Sequence, residues 1–131
     1  MQFDQYLDIP FKPKGRDHRG ADCWGLVRIV AREQFGKNLP PLVVAEYDTK
    51  QRLSCARAIK QWRAYSGCRK VEGDPQPGDL VLMSTAGTES HVGICIIPGR
   101  ILHTEEPYGP RVQKIGELDR LRAIVGVYRA D

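Results

Sequence analysis

Long hydrophobic runs are missing from the sequence, and their absence excludes a membrane-spanning helix. The longest apolar stretches, such as VGICII at residues 92–97, are far shorter than the roughly 20 residues that a helix needs to cross a bilayer. The N-terminal residues also lack the uninterrupted apolar segment of a secretory leader, because acidic residues and prolines break it. We therefore expect a chain made in the cytoplasm without a signal peptide, which something else must deliver if its target lies outside.

Closely spaced cysteines are also missing. The four cysteines are separated by 32, 13 and 27 positions, and no CxxC pair occurs. This spacing argues against a structural zinc site, and a chain of this size without a leader needs no disulfide framework. The patterns around Cys55 and Cys95 are typical of small apolar residues in a core helix and a core strand, whereas Cys68 follows a glycine in a turn. We expect no metal and no cofactor.

Basic tracts with interleaved aromatic residues are absent, although the chain carries a net charge of +4. Residues 1–73 hold 14 basic and 8 acidic side chains, against 6 and 8 in residues 74–131. An anionic partner would suit this distribution. Because no nucleic-acid motif is present, we expect no nucleic acid among the partners.

Repeats and low-complexity tracts are absent as well. A chain of 131 residues can close one core but is too short for two, so we expect a single domain over residues 1–131. Its composition, with 41% hydrophobic and 27% charged residues, is that of an ordinary soluble globular protein.

The first half of the chain has helical patterns. Prolines and glycines interrupt residues 1–20 and leave room only for a short helix at 3–8. From Asp22, a good N-cap, apolar residues recur at helical spacing until Gly36, which predicts a helix over residues 22–35. A second apolar stripe predicts a helix over about residues 49–65.

Beyond residue 73 the pattern changes to strands. Glycine and proline turns separate five segments: DLVLMS, HVGICII, RILHTE, RVQKI and AIVGVYR. Helices followed by antiparallel strands are typical of the α+β class. We predict N-terminal helices packed on a C-terminal antiparallel sheet of about five strands.

Cys23 directly follows the predicted cap Asp22 and stands in the first turn of the first long helix. Unpaired backbone N–H groups and the positive end of the helix dipole favour a thiolate there. The same N–H groups can stabilise an oxyanion on the carbonyl that a thiolate attacks. Cys23 is therefore a candidate nucleophile; the alternative is a buried structural cysteine at a helix start.

A thiolate nucleophile needs a general base, and the chain has only three histidines. His91 opens one predicted strand, His103 lies twelve residues later in the next, and His18 lies in the loop before the cysteine. Imidazole titrates near neutral pH, and a polar group on its far nitrogen fixes its tautomer and orientation. Two histidines on neighbouring strands, together with a cysteine at a helix start, indicate nucleophilic catalysis.

These residues stand in motifs that resemble a known family. DCWGLV, PGDLVLM and HVGICI, with LH twelve residues after the first histidine, are similar to motifs of the NlpC/P60 cysteine peptidases over about residues 8–128. The stretch GRDHRGADCWGLVRIVAREQFGKNLP resembles most the members encoded in tail-assembly regions of long-tailed bacteriophages and prophages.

The resemblance implies a papain-like α+β fold and hydrolysis of peptidoglycan stem peptides, typically after a γ-linked D-glutamate. It also implies action at the cell wall or in the virion tail, with other phage tail proteins as partners. Carried over to this sequence, it makes Cys23 the nucleophile, His91 the general base and His103 the residue that orients the base.

Further residues are matched by the resemblance or lie near its motifs. Asp22 matches the family residue that precedes the nucleophile, and its role as the helix N-cap is enough to explain it. Many members have a tyrosine near the oxyanion where this chain has Phe11, which lacks the hydroxyl, and Lys14 stands where a glycine pair is common. Four other candidates for the substrate groove have ordinary loop or core packing as their alternative: Asp17, His18, Trp24 and Ser90.

The pairing of the two histidine strands must have the right parity, because side chains share a face only in alternate positions. A two-residue turn at residues 98–99 would place His103 opposite Ile94, and His91 would then face the other side. We therefore predict an odd loop, a bulge near residues 97–100, or strong twist at the start of the His91 strand.

Three other functions are compatible with the same residues. One is a tail component whose main role is binding or assembly, with weak or no hydrolysis. Another is a zinc site built from Cys23, His91 and His103, since zinc accepts both residue types. The third keeps the nucleophile but passes the acyl group to another acceptor, as an acyltransferase does, or deamidates, as an amidase does.

Overall fold

The structure, a computed structural model, describes most of the chain in six segments: residues 3–12, 15–39, 68–85, 88–105, 108–121 and 123–130. The helix predicted at about 49–65, with Cys55, lies outside the described residues, and so does Lys14. The side chain of Ser90 is also outside the description.

The N-terminal segment packs along the first long helix, with Tyr6 hydrogen-bonded to Glu33 near its end and Pro10 near its start. A short 3-10 helix covers Asp4–Asp8, which confirms the helix predicted at 3–8. A small hairpin follows, with strands β1 (Arg16–Asp17) and β2 (Gly20–Ala21). The backbone of Pro10 accepts from the Ala21 N–H at 3.0 Å, so the first segment is held against the hairpin.

The first long helix, α1, spans Cys23–Phe35 and confirms the predicted helix over 22–35. It begins at Asp22, whose carboxylate accepts from the backbone N–H of Gly25 at 2.8 Å. It ends at Gly36, where a left-handed conformation with φ of 65° stops the helical hydrogen bonding. Most of its first nine residues are buried, on more sides than a single apolar stripe would cover.

One antiparallel sheet forms the rest of the described fold, in the spatial order β3-β8-β4-β5-β6-β7. A short helix, α2 (Ile115–Leu121), joins β7 and β8, the last two strands along the chain. The strands are β3 (Arg69–Val71), β4 (Leu80–Thr85), β5 (Thr88–Ile97), β6 (Arg100–Glu105), β7 (Gly109–Lys114) and β8 (Ala123–Arg129).

The α+β prediction is confirmed, and two elements were not predicted. The sheet has six strands rather than about five, because the short edge strand β3 pairs with β8. Helix α2 was missed because seven residues with an early glycine, Gly116, carry too little periodicity to predict a helix. Among the described residues, no helix combines the length and apolarity needed to span a membrane.

The two faces of the sheet bury different cores. Alternate residues of the central strands, including Leu82, Val92 and Ile94, join the apolar residues of α1 in the larger cluster. The residues between them, including Cys95, pack with Leu118 of α2 in the smaller one. This alternation fixes which side of the sheet each functional side chain faces.

A β-bulge sets the register between the two histidine strands. The tight turn places Ile97 opposite Arg100, but the next pair is Cys95 with Ile101, so Ile96 is an extra residue. This confirms the predicted bulge, one residue before the predicted range. Without it, His91 and His103 would face opposite sides of the sheet.

Candidate active site

Cys23 is the first residue of α1 and carries a thiol rather than a disulfide. Its side chain is buried, with a relative exposure of 3%. Burial disfavours a charged sulfur, whereas the N-terminal amides and dipole of α1 favour it. A thiolate here therefore depends on the helix start and on a neighbouring cation.

The start of α1 is held by a buried carboxylate. Asp22 accepts from the Gly25 N–H and also from Nη1 of Arg16, at 2.7 Å. Arg16 lies in β1 and also donates to the backbone carbonyl of Gly15 at 2.8 Å. These contacts join the hairpin to the helix terminus and fix the position of the residue that follows the cap, Cys23.

His91 and His103 are hydrogen-bonded to each other. Nε2 of His91 lies 2.8 Å from Nδ1 of His103, and the two rings meet edge to face with their centroids 5.0 Å apart. Both rings are buried, at 6% and 1% exposure. The pair predicted to act together is therefore assembled on β5 and β6, the strands on which α1 packs.

A third side chain, Gln113 of β7, completes this hydrogen-bonded row. Its Oε1 lies 2.6 Å from Nε2 of His103, and its strand position is opposite Ile101, which faces the same side as His103. Sequence reasoning missed Gln113, although it stands within the predicted strand RVQKI. The alternation along RVQKI and RILHTE shows which residues share a face within each strand. Only the register between the two strands shows that Gln113 lies on the same face as His103 and close to it.

The row has a definite direction. With the acceptor Oε1 facing Nε2 of His103, the matching tautomer of His103 carries its proton on Nε2, and its Nδ1 then accepts from Nε2–H of His91. A neutral His91 that carries its proton on Nε2 has an unprotonated Nδ1. This is the atom with which His91 can accept a proton from a thiol.

Gly93 makes room for the histidine pair. A Cβ at this position would lie 2.7 Å from Cγ2 of Ile101 and 3.1 Å from Cβ of His103. Any side chain here would displace one of the two residues. The glycine between His91 and Cys95 therefore supports the geometry of the site as well as that of the sheet.

The strand alternation separates His91 from the core residues that pack under α1. Val92 and Ile94 face the core beneath α1, whereas His91 shares its side with Gly93. His91 follows an irregularity at which the register shifts from Met83↔His91 to Ser84↔Glu89.

Three of the other predicted residues lie at the start of α1. Phe11 bridges to Ala21, two residues before Cys23, so the structure brings the position expected near the oxyanion to the nucleophile. Trp24 is buried in the core around α1, which favours the core interpretation over a groove wall. Asp22 is also fully buried, and its contacts account for it as a cap.

The loop residues lie elsewhere. Nε2 of His18 is 2.7 Å from Oε2 of Glu33, ten residues along α1 from Cys23 and hence about 15 Å away by helical rise. Burial would raise the pKa of Glu33, but hydrogen bonds from His18 and Tyr6 hold that pKa below its ordinary value. Asp17 is exposed and accepts from the backbone N–H of Arg19. We do not assign these residues to the groove.

The zinc alternative is not supported by the geometry. Among the described residues, no three histidine, cysteine or acidic side chains are grouped as a metal site. The facing nitrogens of His91 and His103 are 2.8 Å apart, whereas two nitrogens bound to one tetrahedral zinc would be roughly 3.3 Å apart. This distance is that of a hydrogen bond.

The sequence of the chain matches a known protein family. A sequence model described as the NlpC/P60 family matches residues 8–118. Two curated relatives from Escherichia coli strain K12 are each 27% identical: "Murein DD-endopeptidase MepS/Murein LD-carboxypeptidase" over 117 residues, and "Probable endopeptidase NlpC" over 110 residues. These matches cover 87% and 82% of this chain, and the chain spans 53% and 60% of the relatives' lengths.

A solved structure shows the same fold. The NlpC/p60 domain of the peptidoglycan hydrolase SagA superposes with a TM-score of 0.60 at 19% sequence identity. The match covers 95% of this chain and 89% of that domain.

Proposed function

The chain belongs to the NlpC/P60 family, and from this premise we propose that it is a cysteine peptidase that hydrolyses peptidoglycan stem peptides. The observation that carries the proposal is a cysteine at the start of a helix together with a directed row of hydrogen-bonded side chains, His91, His103 and Gln113. Such a row is what a general base needs to hold one tautomer.

The reaction begins with proton transfer from Cys23 to Nδ1 of His91. The Cys23 thiolate then attacks the carbonyl carbon of the scissile peptide bond and forms a tetrahedral oxyanion. Collapse of this intermediate breaks the C–N bond as His91 gives its proton to the leaving amine. A water molecule, deprotonated by His91, then hydrolyses the thioester and regenerates the thiol.

Backbone N–H groups at the start of α1 are suited to stabilise the oxyanion, because the first turn of a helix leaves its donors without intrahelical partners. Phe11 lies beside this turn and has no hydroxyl to add. We propose that oxyanion stabilisation in this chain comes from the backbone donors and not from residue 11. Replacing Phe11 by tyrosine would then add a donor rather than restore a required one.

The proposed substrate is specified further by the resemblance of the motifs. We propose cleavage after a γ-linked D-glutamate, on the basis of the family resemblance of DCWGLV and HVGICI. We propose that the chain serves a phage or prophage tail, on the basis of the stretch around Cys23. The E. coli relatives, named for murein and endopeptidase activities, support the substrate class but not the tail role.

The decisive experiment is mass spectrometry of purified muropeptides after incubation with the wild type and with Cys23→Ala. We expect the wild type to release fragments that identify one bond, and Cys23→Ala to release none. Cys68→Ala, which removes a half-buried thiol on another part of the chain, is the matched control and should cleave normally. Equal cleavage by wild type and Cys23→Ala would reject the proposal.

The tail role has a separate test in the producing strain. Cys23→Ala should leave the number of complete tailed particles unchanged, as counted by electron microscopy, and reduce their ability to infect cells with an intact wall. Loss of assembled tails in this variant would instead support a component whose main role is assembly. A thioester trapped by added amines in place of water would indicate acyl transfer.

A further inference from the structure

Gln113 lies at the far end of the histidine row, and the reaction above assigns it no step. We propose that Gln113 is a positioning residue that selects the tautomers of both histidines and so keeps Nδ1 of His91 unprotonated. The inference rests on the proposed function of this site. Its basis is the 2.6 Å contact from Gln113 Oε1 to His103 Nε2 and the 2.8 Å contact between the two histidines.

Two neutral imidazoles can share a hydrogen bond in two ways. Either Nε2–H of His91 donates to Nδ1 of His103, or Nδ1–H of His103 donates to Nε2 of His91. In the second arrangement His91 carries its proton on Nδ1 and cannot act as a base through that atom. The histidine pair alone contains no group that distinguishes the two arrangements.

Gln113 distinguishes them because its Oε1 is an acceptor. In the first arrangement Nε2–H of His103 donates to Oε1 as it faces the ring; the second arrangement would require the Gln113 amide to turn over and offer its NH2 group. His103 is 1% exposed, so water cannot easily replace the amide. The first arrangement is therefore the one that matches the amide orientation of Gln113 in the structure.

The charged residue opposite His103 on the next strand does not supply the same selection. Arg111 is the cross-strand neighbour of His103, but its Nη2 donates to Oε1 of Glu105 at 2.8 Å. Its guanidinium also lies over the Tyr108 ring, 4.7 Å from the ring centroid. A guanidinium can only donate, so it cannot replace the acceptor that Gln113 provides.

The first test compares steady-state kinetics of Gln113→Leu, Gln113→Glu and the wild type on a purified muropeptide. Gln113→Leu should lower kcat roughly 10- to 100-fold with KM changed by less than about twofold, as for other residues that orient a catalytic imidazole. Gln113→Glu keeps an acceptor and should recover most of kcat. Its added carboxylate favours the protonated imidazole, so its activity should extend to higher pH.

The matched control is Lys114→Gln, an exposed neighbour on the same strand, which should behave as the wild type. A second readout needs no substrate: ¹⁵N NMR of protein labelled in its three histidines, with His18 as an internal reference. In the wild type, Nε2 of both His91 and His103 should have protonated shifts and both Nδ1 atoms unprotonated shifts. In Gln113→Leu the shifts should move toward a mixture of both arrangements.

The outcomes separate this inference from the proposed function. If the wild type cleaves no muropeptide, the proposed function fails, while the NMR shifts and the rate of Cys23 alkylation still report the tautomers. Unchanged histidine shifts in a folded Gln113→Leu would overturn the positioning role, even in an active peptidase. Equal loss of kcat in Gln113→Leu and Gln113→Glu would also overturn it, because a structural role would not depend on an acceptor.

Discussion

Cys23 and Cys95 are both buried thiols, and their surroundings determine which of them can ionise. Burial, together with the nearby Asp79 carboxylate, raises the pKa of Cys95 to about 11. Its sulfur lies 3.2 Å from the carbonyl oxygen of Ile97, to which the thiol donates. Cys23 instead stands at a helix start, where amide dipoles favour the thiolate.

This difference predicts selective alkylation. Brief treatment with iodoacetamide at pH 7 should label Cys23 and leave Cys95 unlabelled, because its raised pKa keeps Cys95 in the unreactive thiol form at this pH. Peptide mapping by mass spectrometry measures both sites in one sample. Labelling of Cys95 at a rate close to that of Cys23 would contradict this assignment of the reactive thiol.

The three histidines differ in how well their positions in the sequence predicted their contacts. His91 and His103 were predicted as a pair from their positions on neighbouring strands, and their hydrogen bond confirms that they meet. His18 was predicted in the same site from its position before Cys23, yet it pairs with Glu33. Closeness in sequence misled because the hairpin turns His18 toward the C-terminal half of α1.

At the scale of elements, α1 and the hairpin before it form one support for the nucleophile. They approach so closely that a Cβ on Gly25 would lie 2.2 Å from the carbonyl oxygen of Gly15. A contact this short cannot persist, so any side chain at position 25 must separate the helix from the hairpin. The glycine of DCWG is therefore required by backbone packing.

Gly25→Ala should destabilise the fold by about 1–3 kcal/mol, because the helix start must shift away from Gly15. The matched control is Gly116→Ala in α2, where an added Cβ meets nothing within 4 Å. That change should be neutral or stabilise by up to about 1 kcal/mol. Urea unfolding followed by circular dichroism measures both, and equal effects would refute the packing argument.

The register between β5 and β6 is a second feature of elements on which the site depends. A Cβ at position 93 would press on His103 and Ile101. Gly93→Ala should therefore lower kcat by about 100-fold, the usual effect of displacing a catalytic group by 1 Å, while the circular dichroism spectrum stays close to that of the wild type. Full activity in Gly93→Ala would show that the histidine pair tolerates displacement.

At the scale of the whole molecule, an ion pair between a buried carboxylate and a largely exposed guanidinium ties the neighbouring strands β8 and β4 together. Arg129, at the end of β8, donates to both carboxylate oxygens of Asp79, at the start of β4, with each distance 2.8 Å. Burial alone would raise the pKa of Asp79, but the hydrogen bonds from Arg129 and from the Gln76 amide hold that pKa below its ordinary value near 3.8.

A depressed pKa in the folded state means that the unfolded chain binds more protons between the two pKa values, so stability falls on acidification. The contribution of Asp79 should be complete above about pH 5 and lost as the pH falls through its folded pKa. Asp79→Asn should cost about 1–3 kcal/mol at pH 7, because one amide N–H then faces a donor.

The cost of Asp79→Asn should shrink as the pH falls through the lowered pKa of Asp79 and the wild-type carboxyl becomes protonated. Free energies of unfolding by urea at several pH values measure this change. A cost that does not vary with pH would show that the ionised pair is not its source.

The sequence by itself determined the elements that carry the chemistry. Local periodicity, a capping aspartate and a terminal glycine are properties of a few consecutive residues, so they predicted α1 with Cys23 at its start and the strands of both histidines. Parity also required an odd loop, a bulge or strong twist between those strands, and the structure has the bulge. Family motifs then supplied the expected reaction, because they combine several such local signals.

Only the tertiary structure decided which side chains meet. The placement of Gln113 on His103, of His18 on Glu33 and of the β3 edge strand depends on pairing between segments that lie far apart in the chain. A window of consecutive residues holds no information about such a register. Local sequence therefore determines the helix and strands that carry the site residues. The strand register that brings these residues together is fixed by the packing that buries both faces of the sheet.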